Sequence, residues 1–203
     1  MKYILMCGST KISSETPRHL REVCGEVLIV RTIRLLKEYG VTDMAISSLD
    51  ARFDVFGIPR LMHNSEGRWL NCFYPIDEPV CYVFGDVYFS PAALRTIVDT
   101  QTDSIEFFAS APPFAKEYIK PYGEPFAFKV VDTKYFFDCV ERAKRYDDEH
   151  CFWRSAISWE LWQVIKQTPL NIIKYDNYTV INDYTVDVDS EADALRLKRI
   201  LGK

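Results

Sequence analysis

The most informative segment of the chain reads Val80-Cys81-Tyr82-Val83-Phe84-Gly85-Asp86. Its first five residues are apolar without alternation, which is typical of a strand buried on both faces of a parallel sheet. A carboxylate directly after such a strand loses hydration and needs a partner. Mg²⁺ is a natural partner because it accepts carboxylate oxygens. The segment therefore predicts a central strand that presents Asp86 as a metal ligand, with an ordinary Asp turn as the alternative.

Segments with the periodicities of strands and helices alternate along most of the chain. The predicted strands cover residues 2–7, 44–46, 80–84, 105–110, 126–131 and 171–175. The predicted helices cover residues 28–39, 134–145, 157–166 and 191–201, with one more opening at Ser90-Pro91 and with Ser190 and Asp193 as a capping box for the last. This alternation predicts an α/β fold: a single domain over residues 1–203 with an open, mostly parallel, Rossmann-like sheet and helices on both faces.

Composition limits the classes of partner. The chain has 203 residues, 48% of them hydrophobic, and a net charge of -4. Nucleic-acid binders usually carry a basic excess, so we expect no nucleic-acid partner. No apolar stretch approaches the roughly 20 residues of a membrane span, and the start of the chain lacks the features of a signal peptide. The six cysteines contain no C-x-x-C pair and fit reduced core thiols. We therefore expect a cytoplasmic protein without a membrane partner.

Two further segments carry candidate chemistry. The loop Cys7-Gly8-Ser9-Thr10-Lys11 and the segment Thr16-Pro17-Arg18 follow the first predicted strand, where backbone N–H groups can bind phosphate and Lys11 and Arg18 add positive charge. An ordinary Ser/Thr-rich surface loop is the alternative. In Asp187-Val188-Asp189 the two acids share one face of an extended segment, and like charges so placed favour a cation. Charge at a helix N-terminus is the alternative, although it explains Glu191 and Asp193 better.

These motifs resemble the nucleotidyltransferases of the GT-A-type fold, nearest to the sugar-phosphate and phosphocholine cytidylyltransferases. That family has a Gly-rich loop followed by Pro-Lys-x-Leu, a hydrophobic-Gly-Asp-x-x-Phe strand end, and an acidic triplet before its last helix. This chain has Pro17-Arg18-His19-Leu20, then Tyr82-Val83-Phe84-Gly85-Asp86-Val87-Tyr88-Phe89, then the acids before Ser190. It departs from the family where Ser or Thr replaces the second loop glycine and where Arg18 replaces the lysine.

The resemblance implies a role for each candidate residue. It implies a Mg²⁺ site formed by Asp86 and Asp189, with Asp187 as the next candidate. It implies that Lys11 and Arg18 are the catalytic cations that stabilise the leaving pyrophosphate. The implied nucleotide-binding residues are Cys7, Gly8, Ser9, Thr10, Asn71 and Gly85, and the implied substrate-binding residues are Glu124 and Lys129. A structural turn at Asn71 and a lysine at a sheet edge are the alternatives for two of them.

The implied reaction moves a nucleoside monophosphate from an NTP, with CTP or UTP favoured, to a small phosphorylated acceptor that is a sugar phosphate or phosphocholine-like. Two other classes stay open. A glycosyltransferase of the same fold usually carries Asp-x-Asp, and Phe84 counts against it. A non-catalytic nucleotide-binding or regulatory homologue is favoured by the altered loop. The aromatic helix around residues 159–165 could pack a homodimer.

Overall fold

The computed structural model describes residues 1–8, 16–63, 67–112 and 123–202. The α-helices are α1 (Leu28–Glu38), α2 (Pro91–Asp99), α3 (Thr133–Asp148), α4 (Ser158–Lys166) and α5 (Glu191–Ile200). The strands are β1 (Lys2–Met6), β2 (Glu22–Val23), β3 (Glu26–Val27), β4 (Met44–Ser47), β5 (Arg60–Leu61), β6 (Val80–Phe84), β7 (Val87–Tyr88), β8 (Ile105–Ala109), β9 (Pro125–Val130), β10 (Thr179–Val180) and β11 (Val186–Asp187). Short 3₁₀ helices cover Arg18–Leu20, Ala51–Phe56 and Trp69–Cys72.

Within the described residues, the main sheet has seven strands in the order β10-β8-β9-β6-β1-β4-β5. The pairs β6-β1, β1-β4, β4-β5 and β10-β8 are parallel, whereas β9 runs antiparallel to both of its neighbours. The predicted mostly parallel sheet is therefore confirmed. The central strand β6 is buried along its whole length, as its unbroken apolar run predicts.

Helices cover both faces of this sheet. On one face, Phe128 of β9 contacts Phe136 of α3 and Trp162 of α4. Its neighbour Lys129 points to the opposite face, since side chains alternate along a strand, and its ammonium group donates to the carbonyls that end α2, at Val98 and Thr100. Between these helical layers the buried apolar residues form one continuous core. No helix in the described part of the chain is long and apolar enough to cross a membrane.

The predicted strand at residues 171–175 is wrong. This stretch is irregular, and the sheet edge is formed instead by β10, which pairs with β8. Ile172 is exposed, and its carbonyl accepts a hydrogen bond from the side chain of Gln163, which also donates to the carbonyl of Pro169. Gln163 of α4 therefore pairs with backbone carbonyls that a neighbouring strand would otherwise pair, and residues 171–175 pack as a loop.

The segment before the last helix is anchored at both ends. Asp183 accepts hydrogen bonds from the Ser90 hydroxyl and from the Thr185 amide, which ties the segment to the start of α2. At its other end, Ser190 and Asp193 form the predicted capping box of α5. Between these anchors β11 pairs antiparallel with β7. The hydrogen bonds of Asp183 and the capping box of α5 thus fix the position of the acidic residues that lie between them.

Candidate active site

The turn at the end of β6 is built around Gly85. Its amide donates to the carbonyl of Met6 at the end of β1, at 3.1 Å. A Cβ at this position would lie 2.6 Å from Cys7 Sγ and 2.8 Å from the Met6 carbonyl oxygen. Only glycine fits this close approach of two parallel strands. The turn therefore holds Asp86 at the carboxyl end of the central strands, where ligands bind in open α/β sheets.

Three carboxylates meet at this turn. The short ladder between β7 and β11 places Asp187 opposite Val87, and the amide of Val188 donates to the carbonyl of Asp86 at 2.9 Å. One carboxylate oxygen from each of Asp86, Asp187 and Asp189 lies within 4.8 Å of the other two. The structure thus brings together all three acids that the sequence suggests as metal ligands.

Asp187 carries the strongest electrostatic perturbation of the cluster. Burial, followed by the neighbouring charges of Asp86, Asp189 and Glu124, raises the pKa of its carboxyl to about 9. Its Oδ1 atom is buried and has no hydrogen-bond partner among the residues that the structure describes. A buried carboxylate oxygen without a donor is costly, so this atom points to a missing positive partner.

Arg18 is the cation that contacts the cluster most directly in the described part of the chain. Its Nε lies 3.4 Å from Asp86 Oδ2, and its Nη1 donates to Asp189 Oδ1. Burial acts to lower the pKa of Arg18, but the charges of Asp86, Asp189 and Asp187 outweigh it and raise that pKa. Arg21 donates from Nη1 to the main-chain carbonyl of Asp189 at 2.7 Å. The two arginines therefore fasten the 3₁₀ helix Arg18–Leu20 and the residue after it to the acidic segment.

The three acids line a cleft of about 560 Å³, a volume in the range of small-molecule sites. His19 lines the cleft beside Arg18 as a buried ring packed edge-on against Phe53. Burial lowers the pKa of His19, and its Nδ1 has no partner within the described part of the chain. The cleft also contains Gly8, Trp69 and the buried Glu124. It therefore combines an acidic cluster with aromatic and polar walls.

The start of α4 also lines the cleft. Ile157 lies at the N-cap and offers no side-chain acceptor, so Glu160 accepts the Ile157 amide through Oε2 at 3.1 Å. The same carboxylate accepts from Arg154 Nε through Oε1 at 2.7 Å. Ser158 Oγ is buried and, among the described residues, lacks a partner. A guanidinium, an orphan hydroxyl and a helix N-terminus thus line one wall, which favours an anion there.

Apart from Lys129, the predicted binding residues fall into four groups. Gly8, Arg18 and Glu124 line the cleft with the three acids. Cys7 is a buried thiol whose pKa is raised by burial, and Gly85 is a packing residue beside it. Ser9, Thr10 and Lys11 lie outside the described residues. Asn71 makes main-chain contacts, with its amide donating to the carbonyl of Arg68 and its carbonyl accepting from His63 Nε2, and its neighbour Cys72 lines the cleft instead.

Lys129 is not brought to the cleft. Because β9 runs antiparallel to β6, Lys129 pairs with Cys81 at the start of β6, whereas Asp86 follows its end. The ammonium group donates to the carbonyls of Val98 and Thr100 at 3.0 and 2.6 Å. Its contacts are those of a structural residue that closes the end of α2, and we correct the expectation that it binds the acceptor.

Sequence reasoning missed the cleft residues Arg154 and Ser158, and it missed the buried Glu160 that holds Arg154. Arg154 lies in an irregular loop, and its partner Glu160 lies in a helix whose tryptophans suggest packing in the core or at an interface. The sequence carries one weak signal, which is that an isoleucine rather than Ser, Thr, Asp or Asn precedes α4. A helix start without a side-chain cap leaves its first backbone N–H groups available to another partner.

Comparisons with known proteins address the fold. No family model matches the sequence, and no curated protein matches it. Solved structures do match. One is a protein from Bacillus anthracis assigned as a glucose-1-phosphate thymidylyltransferase and solved with sucrose, at a TM-score of 0.61 and 14% identity, covering 98% of this chain and 94% of that one. Another is HddC from Yersinia pseudotuberculosis in complex with GMP-PN, at a TM-score of 0.54 and 11% identity, covering 98% and 99%. The chain therefore adopts the nucleotidyltransferase-like α/β fold that its motifs predict.

Proposed function

We propose that this chain is a Mg²⁺-dependent nucleotidyltransferase. It transfers a nucleoside monophosphate from an NTP, with CTP or UTP favoured, to a small phosphorylated acceptor and releases pyrophosphate. The observation that carries the proposal is the meeting of Asp86, Asp187 and Asp189 in the cleft, with a buried carboxylate oxygen left unpaired among the described residues. The likeness in fold to a protein assigned as a thymidylyltransferase adds to it.

The donor set fits a hard divalent cation. Three carboxylates supply only oxygen ligands, which Mg²⁺ prefers, and they leave room for water and phosphate oxygens in its shell. Burial and the neighbouring carboxylates raise the pKa of Asp187, and a bound cation would favour its ionised form. Asp86, Asp187 and Asp189 would hold the ion. When bound, it would supply charge neutralisation at the phosphate under attack.

The transfer itself needs positioning and charge. An acceptor phosphate oxygen forms a bond to the α-phosphorus, and the bond from that phosphorus to the bridging oxygen breaks, so the electron pair leaves with pyrophosphate. Arg18, beside the acids, is suited to bind the phosphate oxygens as charge develops on them. Lys11 would add a second cation, and Gly8 with Ser9 and Thr10 would offer backbone donors to the triphosphate. No covalent intermediate on the protein is required.

The acceptor's anionic group would bind at the wall formed by α4. Arg154 presents its guanidinium there, and Glu160 fixes that guanidinium through Nε. Ser158 Oγ would supply a further hydrogen bond to a phosphate oxygen. We therefore assign to Arg154 and Ser158 the binding of the acceptor phosphate, which the sequence analysis expects of Lys129. Glu124, buried beside the acids, is suited to accept a hydrogen bond from an acceptor hydroxyl. A sugar phosphate fits this combination, and phosphocholine is the other acceptor to test.

A direct assay tests the proposal. The purified protein is supplied with each NTP, Mg²⁺ and a panel of sugar phosphates and phosphocholine, and pyrophosphate is measured. We expect release that requires Mg²⁺ and a matching pair of substrates. Asp86→Asn should lower the rate by at least about 100-fold, because removing one preorganised charge from such a site costs that much.

The matched control is Asp103→Asn, which removes an exposed carboxylate from the loop before β8. It should retain the full rate. Absence of pyrophosphate with every pair, together with no binding of any NTP, would refute the enzyme. Binding of an NTP without turnover would support the non-catalytic homologue, which the Arg18–Asp189 contact favours because Arg18 already neutralises part of the cluster.

A further inference from the structure

We propose that Arg18 is an internal counter-cation of the acidic cluster and makes metal entry depend on the nucleotide. In the metal-free protein its guanidinium holds Asp86 and Asp189. An incoming nucleoside triphosphate draws the guanidinium to its own phosphate oxygens and so frees the carboxylates for the divalent ion. This inference rests on the proposed function, since it concerns the same metal site.

The first support is where the guanidinium lies. It contacts Oδ2 of Asp86 and Oδ1 of Asp189 at the same time. These two acids belong to the set whose oxygens meet within 4.8 Å, which is the set that would hold the ion. A divalent ion bound by the same oxygens would lie against the guanidinium, and two like charges at that distance repel each other strongly. Arg18 and the ion therefore compete for one place.

The second support is that Arg18 is held by charge and not by packing. Its side chain is 45% exposed, and those of Asp86 and Asp189 are 22% and 51% exposed. The arginine comes directly after Pro17 in a short 3₁₀ helix, and its long side chain lines the cleft. It can therefore turn toward a ligand in the cleft without disturbing the core.

The third support is the match between guanidinium and phosphate. A guanidinium presents parallel N–H donors that fit two phosphate oxygens as well as they fit a carboxylate. A triphosphate in the cleft would thus offer Arg18 an alternative partner and give the ion additional oxygen ligands. Each ligand would then strengthen binding of the other, and by linkage the strengthening is equal in both directions.

Arg21 provides a matched comparison. It lies in the same segment and also contacts Asp189, but through the main-chain carbonyl, at 2.7 Å. Removing Arg21 therefore loosens the same segment and removes one positive charge, while the contact of Arg18 with the carboxylates is left in place. A difference between variants of the two arginines isolates the competition for the carboxylates from a general loss of charge or of local structure.

The test measures binding of Mn²⁺ alone by calorimetry to the full chain without nucleotide. Arg18→Gln should bind Mn²⁺ about tenfold more tightly than the unmodified protein, which is the size of a typical coupling between ligands. Arg21→Gln should stay within about threefold. Arg18→Lys should fall between the unmodified protein and Arg18→Gln, because a compact ammonium keeps the charge but loses the two-point contact. Circular dichroism checks that each variant is folded.

A second titration adds a non-hydrolysable nucleoside triphosphate. The unmodified protein should gain affinity for Mn²⁺, and Arg18→Gln should gain less. Unchanged or weaker Mn²⁺ binding by folded Arg18→Gln would overturn the inference while the metal site of the proposed function remains. If neither the unmodified protein nor any variant binds Mn²⁺ with or without nucleotide, the metal site itself fails, and the inference fails with it.

Discussion

Replacing Asp187 by asparagine should stabilise the metal-free protein and weaken its response to Mg²⁺. In the folded chain the carboxyl is confined next to Asp86 and Asp189, and its pKa is raised from 3.8 to about 9. In the unfolded chain it ionises near its ordinary value. Between these two values the folded protein binds more protons than the unfolded one, so stability falls as pH rises through that window.

The magnitude follows from the shift. At pH 7, about three units above its ordinary pKa, the carboxyl of the folded protein stays protonated. The lost ionisation lowers the free energy of unfolding by at most about 4 kcal/mol. Because the cleft is open to water, solvent screens part of this cost, and we expect asparagine to recover about 2 kcal/mol. For a chain of this length that is a rise in melting temperature of about 4–8 °C. The gain should nearly vanish at pH 4 and should grow with pH until it levels off near pH 9.

Thermal melts followed by circular dichroism measure this directly. In EDTA, Asp187→Asn should melt above the unmodified protein, and Asp103→Asn should match it. In Mg²⁺ the difference in melting temperature between Asp187→Asn and the unmodified protein should shrink or change sign, since a ligand that binds the folded state stabilises only the protein that holds it. A variant that melts lower in EDTA, or whose gain is the same at pH 4 and pH 8, would refute the electrostatic account of the cluster.

Two further variants test the rest of the cleft. Gly85→Ala should cost about 1–3 kcal/mol in urea unfolding, because its Cβ would meet the Met6 carbonyl and β1 would have to shift. Gly8→Ala is the control, because its Cβ would meet no atom of the described residues within 4 Å, and equal losses would contradict the packing argument. Arg154→Gln should raise the KM for the acceptor about tenfold or more, as for a lost charge-assisted hydrogen bond, with the KM for the NTP within about twofold; a larger effect on the NTP would move the acceptor site elsewhere.

The secondary structure could be predicted where the signal is local. The unbroken apolar run of β6, the amphipathic stripe of α1 and the Ser190–Asp193 capping box each depend on residues a few positions apart, and each is found in the structure. The antiparallel direction of β9 has no such local signal. That direction decides which end of the strand meets the acids, so it brings Glu124 to the cleft and removes Lys129 from it.

The acidic cluster was predictable only in part. Period-2 spacing pairs Asp187 with Asp189, but nothing local links them to Asp86, about a hundred residues earlier. That link is made by a ladder of two residue pairs between β7 and β11, too short to leave a pattern in the sequence. The expectation came from the family resemblance. The cleft residues Arg154 and Ser158, with Glu160 behind Arg154, match no motif in that resemblance, and they come together only through the packing around the start of α4.

Two buried charges show why the cluster, and not Lys129, points to function. Burial lowers the pKa of the Lys129 ammonium, but the protein gives it two carbonyl acceptors, so its place in the structure is fully explained by packing. Asp187 is surrounded by like charges, and its Oδ1 lacks a donor among the described residues. This arrangement lowers the stability of the fold, and it supplies no contact on which the packing of the core depends. A cation that arrives with the substrate would be the missing partner and would explain this arrangement. Until that cation binds, Arg18 offsets part of the repulsion between the carboxylates.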